Sequence, residues 1–191
     1  MVTPAMAEMK GACLRLLLSE GEIRSGVERM AGQIAAHYEG RSLTIIGVLT
    51  GSVVLLADLI RLLKVPLRVG VVQARSYRGA ATTPGALSIN ADLLPDIRGR
   101  DVLLIDDIFD TGRTLLELVS QIDELAPRSL RSAVLLRKLG RCQVPIAPDF
   151  VGFEIPNEFV VGYGLDYRDA YRNLPYVAAL DAAELSEAAA P

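Results

Sequence analysis

Apolar positions along this chain follow two periods, one of a helix and one of a strand, and the two alternate. Ser19-Glu20-Gly21-Glu22 has the form of a capping box, and behind it Ile23, Val27, Met30 and Ile34 recur at helical spacing to about His37. Leu43–Leu49 reads as a buried strand. Ser52 opens a second helix with Leu56, Leu59, Ile60 and Leu63 on its apolar side, ending before Pro66. Residues 67–73 return to a strand pattern, and 102–105 form another apolar run. From Thr114 the positions Leu115, Val119 and Ile122 mark a third helix to about Leu125. Residues 129–136 read as a strand, with short strands expected at 150–153 and 159–163. Strands alternating with helices imply parallel βαβ units. The expected fold is therefore α/β, a central parallel twisted sheet flanked by helices. The second half holds less helix, so a small lobe from the chain ends, about 1–20 and 138–180, is expected on a single domain spanning 1–191. The Ala/Glu-rich tail at 182–191 is expected to fray.

The chemistry concentrates where the run 102–105 meets Asp106 and Asp107. Asp110 follows, then Thr111-Gly112-Arg113-Thr114 at the start of a helix. Such a turn offers backbone N–H groups, two hydroxyls and a guanidinium to a phosphate. The acids stand at the carboxyl end of a strand, where open α/β sheets bind ligands. Acids beside a phosphate cradle imply a ligand that also carries hydroxyls or a metal. Taken separately, the acids fit a solvated turn and the Thr-Gly-Arg-Thr segment a simple helix cap. The combined spacing is what points to a ligand. It is not a P-loop, because Asp107 stands where that motif needs its first glycine. No G-x-G-x-x-G follows an expected strand, so a dinucleotide fold has no support.

Composition narrows the partners. At 191 residues with 51% hydrophobic content, the chain has enough material for one well-buried core. A net charge of −3 argues against a general nucleic-acid binder. Cys13 and Cys142 lack metal-ligand spacing, and a single histidine, His37, excludes multi-histidine metal sites. His37 falls in the first helix and reads as structural. The longest uncharged run, 42–57, is shorter than the roughly 20 residues of a membrane span. The first ten residues lack a basic segment followed by an apolar core, so a soluble cytoplasmic protein without membrane partners is expected. Residues 76–96, with Gly79, Pro84, Gly85 and Pro95, form a connection long enough to be a functional lid or a peripheral hairpin.

The block at 102–115 resembles the phosphoribosyl-pyrophosphate (PRPP) motif of type I phosphoribosyltransferases. DFVGFEIPNEFVVGYGLDY, residues 149–167, looks like the base-binding region of the hypoxanthine-guanine members. The likeness runs from about residue 20 to about residue 180. It implies that Asp106 and Asp107 meet the ribose hydroxyls and help place metal, and that Thr111, Gly112, Arg113 and Thr114 hold the 5′-phosphate. Asp110 becomes the general base near purine N7. Thr50 and Gly51 would bind pyrophosphate, with a cis peptide at Leu49–Thr50, and Arg172 would meet the same group. Lys138 would meet the oxygen at purine position six, Phe159 would stack on the base, and the Val160 backbone would bond its edge. Asp166 would ligate or orient magnesium. Ser76 and Tyr77 would open a mobile lid. Many relatives carry lysine or arginine at the Thr50 position and glutamate at the Asp106 position. The implied reaction is magnesium-dependent transfer of phosphoribosyl from PRPP to N9 of hypoxanthine and/or guanine, giving IMP or GMP and pyrophosphate. A homodimer or homotetramer is implied as well. Two other readings stay open: a regulator of the same fold that binds PRPP or nucleotides as effectors, and a transferase for another base, such as xanthine or a pyrimidine.

Overall fold

The computed structural model describes residues 14–76, 87–89 and 94–181. The elements run β1 (Leu14–Leu18), α1 (Glu20–His37), β2 (Leu43–Leu49), α2 (Val53–Leu62), β3 (Leu67–Ser76), β4 (Leu87–Ile89), β5 (Asp101–Phe109), α3 (Arg113–Asp123), β6 (Ser129–Lys138), β7 (Phe150–Ile155), β8 (Val160–Val161) and β9 (Val177–Leu180). The capping box closes as expected: Ser19 Oγ accepts from Glu22 N and Glu22 Oε2 accepts from Ser19 N, at 3.3 and 2.8 Å.

Six strands make the main sheet in the order β4-β3-β2-β5-β6-β7. All pairs are parallel except β4, which runs antiparallel to β3. Continuous apolar runs in β2, β5 and β6 reflect burial on both faces. On one face α1 and α2 cover Leu43, Ile45, Leu103, Ile105 and Leu135. On the other, Leu115, Leu118 and Ile122 of α3 cover Ile46, Val48, Val102, Leu104 and Val134. The chain leaves β2 toward β3 on one side, and β5 leads to β6 on the other. The carboxyl ends of β2 and β5 therefore flank the crevice where doubly wound sheets take ligands.

A second sheet of three antiparallel strands, β1-β9-β8, joins the two ends of the chain. The lobe is smaller than expected from 138–180, because β7 pairs in parallel with β6 at the edge of the main sheet. Its side chains explain this: Phe150, Phe153 and Ile155 face the α1–α2 core while Val151 faces the α3 core. A strand apolar on both faces needs both layers. The strand expected at 159–163 shortens to Val160–Val161, since Gly162 at φ 97° turns the chain. β5 is longer than the apolar run at 102–105 and carries Asp106 and Asp107 inside its ladder, with Asp106 opposite Val134. β3 also extends past 73 to Ser76, and residues 74–76 pair antiparallel with β4. Ser76 ends β3; Tyr77 and the tail 182–191 lie outside the described residues.

Candidate active site

The crevice holds a cavity of about 340 Å³. It is lined by Val48–Gly51 at the end of β2, by residues 106–112 with Thr114 and Leu115 from the end of β5 into α3, by Val134 of β6, and by Asp166 with Arg172 from the loop between β8 and β9. Gly112 starts α3 with φ 84°, a left-handed turn that glycine adopts freely. A side chain there would also collide with Val144 and with the Phe109 ring, 2.7 Å from its Cζ. The turn thus aims the first N–H groups of α3 into the cavity. Thr111, Gly112 and Thr114 line it. Arg113 is exposed, its guanidinium donates to Gln143 Oε1 at 2.9 Å, and it is not among the residues that line the cavity.

The Leu49–Thr50 peptide is cis, as the resemblance implied. Next to it, Gly51 lies flat against the Asp107 carboxylate; a Cβ on Gly51 would occupy the same space. Gly164, at φ 100°, presses in turn on the Gly51 carbonyl. Its loop is tied to α2 by Tyr163, whose hydroxyl donates to Asp58 Oδ2 at 2.6 Å. Gly164 was not singled out in the sequence. Its local signal is the Gly-x-Gly at 162–164, and the contact that explains it is with Gly51, far back along the chain.

Asp106, buried, and Asp107, half-buried, form an acidic pair, with Asp106 Oδ1 accepting from Asp107 N at 3.0 Å. Burial, then the neighbouring carboxylate, pushes the Asp106 carboxyl well above the usual range. Burial also raises Asp107, against hydrogen bonds and the charge of Arg172 that lower it. Arg172 pairs with Asp166 at 2.7 Å and donates to the Gly164 carbonyl at 2.8 Å. Among the described residues, no group of three histidine, cysteine or acidic side chains is close enough to chelate a metal. The donors that line the cavity are the Asp106–Asp107 pair and Asp166, a small carboxylate set that suits magnesium when waters and phosphate oxygens complete its shell.

Asp110 is in the opposite condition. Its Oδ2 accepts from Lys138 Nζ at 3.1 Å and its Oδ1 from Arg141 Nε at 2.9 Å. Partial burial raises its carboxyl, but hydrogen bonds from Arg141 and Lys138 outweigh that and hold it below the usual range. Arg141 was missed in the sequence; its local signal is a cation just past Gly140, which turns at φ 70°. Lys138 is thus brought to Asp110 rather than to the cavity wall. Phe159 and Val160 also stand apart from the cavity, in the small lobe. Phe159 is 39% exposed and lies edge-on to Tyr167 at 5.5 Å, while Val160 is buried in β8. His37 is the last residue of α1 and lies edge-on to Tyr38 and Phe150, away from the cavity. Cys142 is a free, exposed thiol.

A helix-start turn and an acidic pair thus meet at the switch point of a parallel sheet, where folds of this class take a ligand. The chain belongs to the phosphoribosyl transferase domain family, whose model matches residues 17–168. It is 38% identical over 166 residues to hypoxanthine-guanine phosphoribosyltransferase of Streptococcus pneumoniae, covering 87% of this chain and 92% of that one. A solved hypoxanthine phosphoribosyltransferase of Trypanosoma cruzi, in a ternary complex with substrates, superposes with a TM-score of 0.83 at 37% identity, covering 90% of this chain and 97% of that one. The bifunctional protein TilS/HprT of Listeria innocua is 40% identical over 166 residues, 87% of this chain, which spans only 26% of that longer protein. No described helix is long and apolar enough to cross a membrane.

Proposed function

We propose that this protein transfers the 5-phosphoribosyl group of PRPP to N9 of hypoxanthine and/or guanine, releasing pyrophosphate and forming IMP or GMP. The observation that carries the reading is the meeting, in one cavity, of the phosphate turn, the acidic pair and the Leu49–Gly51 loop, with Lys138 on the adjoining Asp110. The 5′-phosphate sits on the Thr111–Thr114 backbone at the α3 N-terminus. Asp106 and Asp107 accept hydrogen bonds from the ribose hydroxyls once both are ionised. Pyrophosphate lies between Thr50–Gly51 and Arg172, whose fork suits phosphate oxygens. Asp106, Asp107 and Asp166 would hold magnesium, which supplies positive charge to the departing pyrophosphate.

Displacement at the anomeric carbon develops oxocarbenium-like charge and needs no covalent nucleophile, so orientation and electrostatics carry the rate. Lys138 donates to the oxygen at purine position six, which favours an oxo purine over adenine. Phe159 stacks on the base, and the Val160 backbone meets its edge. Asp110, held ionised, offsets or accepts the N7 proton as N9 attacks. The same reading places the protein in the cytoplasm as a homodimer or homotetramer. Pyrophosphate release from PRPP and magnesium with a panel of hypoxanthine, guanine, xanthine, adenine and uracil tests it. Turnover confined to oxo purines is expected. No turnover with any purine overturns the reading, and turnover with uracil alone reassigns the base.

A further inference from the structure

We infer that Arg141 is a positioning residue for this transfer, holding the Asp110 carboxylate in place while Lys138 turns to the purine. The inference rests on the proposed reaction and concerns a residue outside the motifs that suggested it. Both oxygens of Asp110 are occupied, Oδ2 by Lys138 and Oδ1 by Arg141. The two cations differ in setting. Lys138 ends β6 with a side chain only 11% exposed, whereas Arg141 stands in the following loop at 40%. An ammonium that directs a proton to a purine oxygen gives up part of its hold on Asp110. A guanidinium bound through Nε to the other oxygen keeps its hold, because the two donors do not share an acceptor lone pair.

The loop that carries Arg141 is itself fastened to the phosphate turn. Gln143 N donates to the Thr111 carbonyl at 3.0 Å, and Gln143 Oε1 accepts from Arg113 at 2.9 Å. Val144 packs against the face of Gly112 where a side chain would sit. Gly140 then turns the chain so that Arg141 comes back over Asp110. The chain of contacts runs from the 5′-phosphate turn through Gln143 to Arg141 and on to Asp110. It sets the distance between the sugar phosphate and the carboxylate that faces the base. A misplacement of about 1 Å at such a point costs up to about 100-fold in rate.

Steady-state kinetics of Arg141→Gln, with PRPP and hypoxanthine varied separately, test this together with a thermal melt. The expected result is kcat lowered about tenfold or more, KM for PRPP within about threefold of the parent, and partial recovery of kcat in Arg141→Lys. A residue that merely fastens the loop would instead raise KM for PRPP, by loosening the phosphate turn, and leave kcat alone. Parent-like kcat in Arg141→Gln, or a loss confined to KM, overturns the inference. If Arg141→Gln does not fold, Arg141→Lys decides: parent-like kcat overturns, and lowered kcat with unchanged KM for PRPP supports. An inactive parent protein would defeat the proposed reaction itself, a result distinct from an active parent whose Arg141 variants are equally active.

Discussion

Replacing Gly51 by alanine tests the packing of the crevice more directly than removing any charged group. A Cβ built on Gly51 would lie 3.2 Å from Asp107 Oδ1 and inside 3.0 Å of both Oδ2 and Cγ. Carbon atoms in folded proteins do not approach carboxylates so closely, so either the Asp107 side chain or the loop must shift by more than about 1 Å. The loop has little room, and the Asp107 carboxylate can move only into the cavity it lines. Asp107 lies in the β5 ladder beside buried Asp106, and Gly164 presses on the Gly51 carbonyl. Overpacking of this kind costs about 1–3 kcal/mol, which in a domain of this size lowers Tm by about 2–12 °C. The catalytic loss should be larger in proportion. If Asp107 meets the ribose and the metal as proposed, displacing it by about 1 Å is expected to lower kcat/KM for PRPP by about 100-fold. Pyrophosphate release at varied PRPP, alongside a thermal melt, measures both. A variant with kcat/KM within about threefold of the parent would show that the Gly51–Asp107 contact does not set the site, and the reasoning would fail.

Asp110→Asn should lower kcat about 100-fold while leaving PRPP affinity within a few-fold; isothermal titration with PRPP and magnesium separates the two, and a fall in affinity alone would contradict the base-side role. Asp106→Asn should abolish efficient turnover yet raise the Tm of the ligand-free protein at pH 7. The folded pKa of Asp106 is raised, so the folded state holds its proton more tightly than the unfolded one; that favourable contribution is present in acid and is lost as pH rises through the raised value. Asparagine stays neutral and keeps the acceptor for Asp107 N, and a lower Tm at pH 7 would refute the argument. By the same sign, PRPP–magnesium affinity should strengthen as pH rises through the raised values of the pair, measurable by titration between pH 5 and about 8. Asp101→Ala should cost about 1–3 kcal/mol by chemical denaturation, since buried Asp101 accepts from Arg128 and Ser129; both arginines near it are partly exposed and can rehydrate, which keeps the loss below that of a fully buried pair. The hydrogen bond from Arg128 holds the Asp101 carboxyl below its usual range despite burial, so this stability should fade as pH falls through that lowered value.

What could be read without coordinates follows contiguity in the chain. Asp106, Asp107, Asp110 and the Thr111–Thr114 turn lie within nine residues, so their spacing alone suggested a phosphate beside acids. The alternation of apolar rhythms was enough for the parallel sheet, because strands buried on both faces leave no polar interruptions. Thr50, Asp166 and Arg172 carry no such local pattern and were reached only through resemblance. The strand containing the acids was cut short at 105, since carboxylates inside a ladder look like a turn until the ligand crevice above them is seen. Arg141, Gln143 and Gly164 were illegible for a different reason. Each acts on a partner far along the chain, respectively Asp110, the Thr111 carbonyl and Gly51, and a glycine or a surface cation gives no sign of what it meets.

The carboxylates of the site are divided by charge before any ligand arrives. Asp106 and Asp107 stand side by side, and among the contacts that lower Asp107 only Arg172 brings positive charge. Asp110, three residues on, is held by two cations. A single strand end thus presents an anionic half in need of a cation and a half already neutralised. The first suits a metal-bound pyrophosphate ester, because binding discharges a repulsion that the empty fold must bear. The second suits a neutral base, because nothing need be desolvated except an ammonium that trades one oxygen for another. The separation comes from the β-strand itself. The chain leaves the ladder at Phe109, just past the acidic pair, which frees Asp110 to meet Lys138 at the end of β6 and Arg141 in the loop after it. The two residues between Asp107 and Asp110 carry the chain to the end of the ladder, so they are as much a part of the chemistry as the acids.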